Sequence, residues 1–374
     1  MSEGSIIRRG KKSWRIKFDL QRDPETGERR IAYATIKGTR KDAEKELRRR
    51  LTALDKGTHV DPSALTLGAY LASWLADVAP ASVGAKSLER YRSLSRLQIV
   101  PYLGDIQLQR LRPGDVAAWL QALGLTGLAP RTIRHAHGLL RAALAHACTI
   151  EVLERNVAAT IRPPKVARAQ IEILGAGEVA EVLTALKGHS IFPLAALALA
   201  TGARRGELAA LTWSNIDLDA ATVRIEKSLE QTVGRLAVKG TKTRAGCRTI
   251  SLPEFAVLAL RDHRRETLEL RVKVGAGALP ANHPIFGDLD GNWPSPQRIT
   301  GRWRDALAVR GLPKVTFHSL RHCHASALIA AGVDVVAVSR RLGHASPALT
   351  LNVYSHLFVS KDSEAAAAID KVFG

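Results

Sequence analysis

The sequence predicts a multidomain chain in three parts. The first is a small α+β unit, a three-stranded sheet plus one helix. The second is all-α. The third is mixed and mainly α, with a small β-sheet. Three observations predict this. The 374 residues suit two or three domains at roughly 150 residues each. The hydropathy period changes from alternation near residue 13 to helical spacing beyond residue 39. Arg162-Pro163-Pro164-Lys165 then breaks the helical pattern as a linker does, ahead of helices that surround strand-like segments. The expected boundaries are 1–58, 64–162 and 170–374.

In the first part, Ser13-Trp14-Arg15-Ile16-Lys17-Phe18-Asp19-Leu20 alternates polar and apolar, the pattern of a half-buried strand. Asp23-Pro24-Glu25-Thr26-Gly27 reads as a turn, and Arg30 to Ile36 alternates again. Thr39 is placed to cap a helix that runs to about Leu54, with Ala43, Leu47, Leu51 and Leu54 on one stripe. The exposed strand face would carry Arg15, Lys17, Arg29 or Arg30. The alternative is that these are ordinary solvated charges.

The second part reads as four helices, opening at Leu65-Thr66-Leu67, Ser87-Leu88-Glu89, Pro113-Gly114-Asp115 and Pro130-Arg131-Thr132. Tyr70, Leu71, Trp74, Val116, Trp119, Leu120, Ile133, Leu139, Leu140 and Leu144 fall at core spacing. In the third part, Ala221 to Ile225, Leu236 to Lys239 and Arg248 to Leu252 form the strand-rich patch, with turns at Gly234 and Ala245-Gly246.

Composition narrows the function. With 46% hydrophobic and 24% charged residues, the chain can pack cores, which excludes a mainly disordered protein. The longest apolar run, Ile191 to Ala200, is broken by Pro193 and falls short of the ~18 residues of a membrane span. Met1-Ser2-Glu3-Gly4-Ser5 lacks a signal-peptide pattern. The three scattered cysteines, Cys148, Cys247 and Cys323, lack zinc spacing. The expectation is a reduced, cytoplasmic, nucleoid-associated protein without a membrane partner. Its 55 Lys and Arg against 35 Asp and Glu leave +20, and the first 58 residues alone hold 17 against 9. Such self-repulsion calls for a polyanion, with nucleic acid ahead of an anionic membrane or of mere solubility.

Four segments of the third part stand out: Thr201-Gly202-Ala203-Arg204-Arg205-Gly206-Glu207-Leu208; Thr241-Lys242-Thr243 with Arg248-Thr249-Ile250; His318-Ser319-Leu320-Arg321-His322; and Leu342-Gly343-His344, with Tyr354 ten residues on. Each alone has a plain reading as surface charge, turn lysine, polar helix face or core tyrosine. Their order and spacing together resemble the catalytic domain of the tyrosine recombinases, the phage-integrase family. That pattern is an arginine after Thr-Gly-x, a lysine on a β-hairpin, His-x-x-Arg, a histidine after Leu-Gly and a tyrosine nucleophile.

The resemblance implies catalytic roles for Arg204, Lys242, His318, Arg321, His344 and Tyr354, with Glu207 as structural support. It extends to Ser87-Leu88-Glu89-Arg90-Tyr91, Pro101-Tyr102-Leu103-Gly104 and Arg155-Asn156-Val157, similar to the family's helical core-binding (SAM-like) domain. Where members often carry Asn-Pro, this chain has Asn156-Val157. The first part resembles an arm-type DNA-binding domain. Candidate DNA contacts are Arg15, Lys17, Arg29, Arg30, Arg90, Arg131, Thr132 and Arg205.

The chemistry suits these residue types. A tyrosine hydroxyl can attack a phosphodiester and store its energy in a phosphotyrosine, so no nucleotide is needed to reseal the strand. Two guanidiniums offer paired donors to the phosphate oxygens, typically worth ~3–4 kcal/mol each at a developing oxyanion. His344 adds a donor, His318 suits a proton acceptor, and lysine has a mobile proton for the departing 5′ oxygen. No cofactor or metal is expected: His318, His322 and His324 are the alternative ligand set, but no Glu sits among them as in His-Glu-x-x-His. Lys239 and Arg205 stand as alternatives to Lys242 and Arg204.

By resemblance the partners are double-stranded DNA at core and arm attachment sites, clamped by the last two domains, and three further copies in a homotetramer. Accessory directionality or DNA-bending proteins are also implied. Rival readings are a catalytically silent DNA-binding relative and a type IB topoisomerase. Ser346-Pro347 should start the helix that ends near Tyr354, Gly332 and Gly343 should end two earlier helices, and Ser360 to Gly374 should hold a short helix.

Overall fold

The structure is a computed structural model that describes residues 4–20, 27–55, 63–166, 174–240, 244–355 and 369–373. It divides into two compact units, Met1–Arg168 and Ala169–Gly374. The 23–26 part of the expected turn and most of the expected tail helix lie outside the described residues. Ile369 to Phe373 are helical.

The first unit begins with an antiparallel sheet in the order β1 (Gly4–Gly10), β2 (Ser13–Asp19) and β3 (Ile31–Lys37). The alternation of the central strand decides its faces. Ile16 and Phe18 are buried against Ala43 and Leu47 of α1 (Arg40–Asp55), while Arg15 and Lys17 lie on the opposite face. Thr39 and Asp42 cap α1 reciprocally, through Asp42 N to Thr39 Oγ1 and Thr39 N to Asp42 Oδ2. The edge strand β1 escaped the sequence pattern because its outer residues, Ile7 included, are exposed, so no clean alternation survives.

The rest of this unit is helical: α2 (Leu67–Ser73), α3 (Ala79–Ser82), α4 (Ala85–Leu94), α5 (Val100–Leu103), α6 (Pro113–Leu125) and α7 (Pro130–Thr149). They surround a separate core that includes Leu71, Trp119, Ile133, Leu140 and Leu144. Wide π-turns at Trp74–Val78 and Ser95–Ile99 join α2 to α3 and α4 to α5. Each ends beside a proline, Pro80 or Pro101. A proline ring pushes aside the carbonyl four residues back, so the preceding N–H reaches five residues back instead: Ala79 to Trp74 and Val100 to Ser95.

The second unit contains α8 (Ala176–Ala185), α9 (Phe192–Thr201), α10 (Arg205–Ala209), β4 (Ile216–Asp217), β5 (Thr222–Ile225), β6 (Lys227–Thr232), β7 (Arg235–Gly240), β8 (Arg248–Ser251), α11 (Glu254–Lys273), α12 (Pro296–Val309), α13 (Ser319–Ala330), α14 (Val335–Leu342) and α15 (Pro347–Tyr354). The expected single sheet is two: β4-β5-β8, and the hairpin β6-β7. Helix α9 is buried almost all round, packing on α11 and α13 at the centre of the core. Gly332 and Gly343 both take positive φ just past α13 and α14, as helix-ending glycines do. Ser346 is the N-cap of α15, without a side-chain capping bond. Among the described residues no helix is long and apolar enough to cross a membrane.

Candidate active site

The site is assembled from helix ends. Helix α9 stops at Gly202, which takes φ 62°. A Cβ at this position would sit 2.6 Å from His324 Cδ2 and 2.7 Å from Leu342 Cδ2, so only glycine satisfies both the backbone and the space. The chain turns and Arg204 becomes the N-cap of α10, with Glu207 at the third helical position. Glu207 Oε2 accepts from Arg204 N at 2.9 Å and Oε1 from Arg204 Nη1 at 2.9 Å. The spacing Thr-Gly-x-Arg-x-x-Glu is therefore a left-handed turn followed by a capping interaction that aims the arginine.

Arg248, at the start of β8, completes this layer. Its Nη2 donates to Glu207 Oε2 at 2.9 Å, Nε to Arg341 O at 2.7 Å and Nη1 to Gly246 O at 2.9 Å. Gly343 makes room for it, since a Cβ there would meet Arg248 Nη1 at 2.6 Å. Burial works to raise the Glu207 carboxyl, but Arg248 and then Arg204 outweigh it and hold the group below the usual carboxylate range. Glu207 thus bridges two cations, and the second of them, Arg248, has no assigned role in the sequence pattern. Its signal was the Arg-Thr-Ile motif itself.

Arg321 lies in the first turn of α13, whose N-cap is His318. Its guanidinium is buried, with Nη1 donating to Gly202 O at 2.7 Å. Nη2 is buried and meets no hydrogen-bond partner among the described residues. Burial first, then the charge of Arg204, pushes Arg321 down to about 10. His318 and His344 feel both arginines. Burial, Arg321 and Arg204 lower His318, and the same causes in the same order push His344 down to about 4. His344 Nδ1 bonds the buried hydroxyl of Thr350 at 2.7 Å. Arg204, Arg321, His318 and His344 are thus brought together, with Arg204 and Arg248 both paired to the Glu207 carboxylate. Lys242 lies outside the described residues. Lys239, its alternative, pairs with Glu230 at 2.5 Å across β6-β7.

Tyr354 ends α15 with 1% of its surface exposed, packed with Ala325, Ile329, Val338 and Leu342. Burial pushes its hydroxyl up to about 12 against the pull of Arg321. The hydroxyl lies 2.6 Å from Nδ1 of His322, not on His318. The sequence offers His322 only as a candidate metal ligand; its signal is a position one turn after His318. His324 is occupied differently. Arg341 Nε donates to its Nε2 at 3.2 Å, which makes that nitrogen the acceptor, and leaves Nδ1 to donate to Leu199 O at 2.7 Å. Both ring nitrogens are therefore committed.

The other candidates fall on three surfaces. Arg15 stacks over Tyr33 at 4.8 Å beside Lys17 on the outer sheet face. Arg29 and Arg30 precede β3 rather than riding on it, and Arg29 pairs with Asp19 at 2.6 Å. Arg90 of α4 and Arg131 of α7 come close enough to lower His135 together, after its burial and alongside Arg134. Thr132 is half-buried in the first turn of α7. Arg205 donates to Thr300 Oγ1 of α12, which leaves Arg204 as the arginine beside Arg321.

Comparison with known proteins fits this architecture. The phage integrase family matches residues 176–361, and the phage integrase N-terminal SAM-like domain matches residues 66–124. The chain belongs to the phage integrase family of tyrosine recombinases. A tyrosine recombinase XerC-like protein of Caldanaerobacter subterraneus subsp. tengcongensis is 26% identical over 99% of this chain and 98% of the relative. An integrase of Streptomyces ambofaciens is 28% identical over 96% and 93%. The fold is shared with the Tn1549 transposon integrase in complex with a circular intermediate DNA, at TM-score 0.68, 20% identity, and 82% and 99% coverage. It is also shared with a lambda integrase tetramer bound to a Holliday junction, at 0.57, 21%, and 91% and 92%.

Proposed function

We propose that this chain is a site-specific DNA recombinase that cuts and rejoins strands through a phosphotyrosine at Tyr354. The observation that carries the reading is Arg321: a buried guanidinium whose Nη2 meets no partner among the described residues, set beside Arg204 and His344. A buried donor without a partner is costly, and a phosphate oxygen is the acceptor that matches a guanidinium fork. With one carboxylate among three guanidiniums, the pocket keeps excess positive charge for an anion.

In the proposed step, Tyr354 Oη attacks the phosphorus, and the bond from phosphorus to the 5′ oxygen breaks. The phenol proton passes to a base, for which His318 is the candidate. Lys242 protonates the departing 5′ oxygen. Arg204, Arg321 and His344 stabilise the charge that builds on the non-bridging oxygens. Reversal by a 5′ hydroxyl from another duplex rejoins the strand with no energy input. Arg15 and Lys17 on the outer sheet face, and Arg90, Arg131 and Thr132 on the helical part, are proposed DNA contacts. Four copies acting on two duplexes, with accessory proteins setting direction, complete the reading. The lambda integrase tetramer seen on a Holliday junction supports that assembly.

The test uses duplex DNA with the sequences that flank the gene, incubated with the full chain and a chelator, without nucleotide. Detergent-stable protein–DNA adducts and exchanged strands are expected. DNA binding with neither product would overturn the proposal in favour of a silent binding protein. Relaxation at random sites with no exchange would favour a topoisomerase.

A further inference from the structure

We propose that His322 is the positioning residue of the nucleophile: it holds the Tyr354 hydroxyl in a buried resting seat that must open before DNA is cut. The proposal rests on reading Tyr354 as the nucleophile. Its own support is geometric. The phenol is 1% exposed, and a duplex cannot bring a phosphorus atom to an oxygen that solvent itself does not reach. Its ring is walled by Ala325 and Ile329 of α13 and by Val338 and Leu342 of α14. Its one polar atom is satisfied by His322 Nδ1 at 2.6 Å.

His322 is well placed for this task. It follows Arg321 directly, so the seat and the phosphate pocket share one turn of α13. The His318 ring meets it edge-on at 4.9 Å, which steadies the ring that receives the hydroxyl. Leaving the seat breaks one hydrogen bond and exposes an aromatic ring. Both costs favour the parked state in a free protomer. The helix that carries the phenol is short, eight residues with no side-chain capping bond at Ser346, so little helical structure has to give for the move. Binding to DNA, or to another protomer on DNA, must supply the compensation. The seat therefore restrains cleavage by an isolated chain.

The test reads the seat directly, without DNA, by limited chymotrypsin digestion of the full chain. Mass spectrometry identifies the fragment that ends at residue 354. A parked Tyr354 resists cutting. His322→Leu and Tyr354→Phe each remove the same hydrogen bond from opposite sides, and chymotrypsin cuts after phenylalanine as well. Each is expected to speed cleavage after residue 354 roughly tenfold, while the double variant goes no faster than either single one. His322→Asn, whose amide can meet the hydroxyl, is expected to restore protection. Thermal melts keep global unfolding apart from seat opening, since unfolding speeds every cut and not this one alone. Wild-type protection in both single variants, or strictly multiplying effects in the double variant, would overturn the proposal. Because no DNA is involved, either result is separable from failure of Tyr354 as the nucleophile.

Discussion

Glu207 grips Arg204 at two points, its backbone nitrogen and Nη1, each at 2.9 Å. The carboxylate is a helix cap and an arginine clamp at once. Its second duty, to Arg248 at 2.9 Å, makes it the buried anion that lets two cations approach each other. Glu207→Ala leaves Arg248 buried and unpaired, a loss of about 3–5 kcal/mol by the usual cost of breaking a buried pair. Denaturant unfolding measures it. Adding Arg248→Met is expected to recover part of that loss, because the stranded charge is then gone.

Arg321→Lys keeps a positive charge but loses the planar fork that donates to Gly202 O and, in the proposed step, to the phosphate. Adduct formation is expected to fall by about 10²–10³, the usual effect of losing one transition-state donor. DNA affinity measured by filter binding should change far less. Equal losses in both would place Arg321 in binding and not in the chemical step.

Acid should destabilise the second unit in a defined window. His322, His324 and His344 are each pushed from 6.5 down to about 4, mainly by burial. Folding therefore keeps them neutral. The unfolded chain takes up protons first as pH falls below 6.5, so stability drops from there towards pH 4. Glu207, held low in the fold, adds its own loss at the acid end as it protonates. Unfolding free energies measured across this range should fall steadily. A flat profile from pH 6.5 to 4.5 would contradict the burial of these rings.

Arg15 and Lys17 share the outer face of the central strand, and Arg15 lies over Tyr33. If each neutralises one DNA phosphate, alanine at either position reduces the slope of log affinity against log salt by about 0.9. Binding titrations at several salt concentrations give that slope. An unchanged slope in the double variant would remove this face from the DNA interface.

Much of this architecture was legible in the residues because local rules and global fold agree. Alternation marked β2, and Gly332 and Gly343 marked the ends of α13 and α14, the second of them directly ahead of His344. What stayed hidden depends on tertiary contact. The hairpin partner β6 and edge strand β1 lack strong alternation because their faces are only partly covered. Arg248 stands in the Arg-Thr-Ile motif, but the carboxylate that holds it, Glu207, lies 41 residues away in sequence. His322 stood in plain view beside Arg321, but its partner lies 32 residues on, at the end of another helix. No periodicity encodes such a meeting.

The most direct test of the central claim is to map the covalent bond itself. The full chain is trapped on nicked duplex DNA from the gene's flanks, digested with protease and nuclease, and sequenced by mass spectrometry. The account predicts a nucleotide joined through its 3′ phosphate to Tyr354, and no adduct from Tyr354→Phe. A 3′ linkage to any other residue, or an adduct that survives Tyr354→Phe, would contradict it.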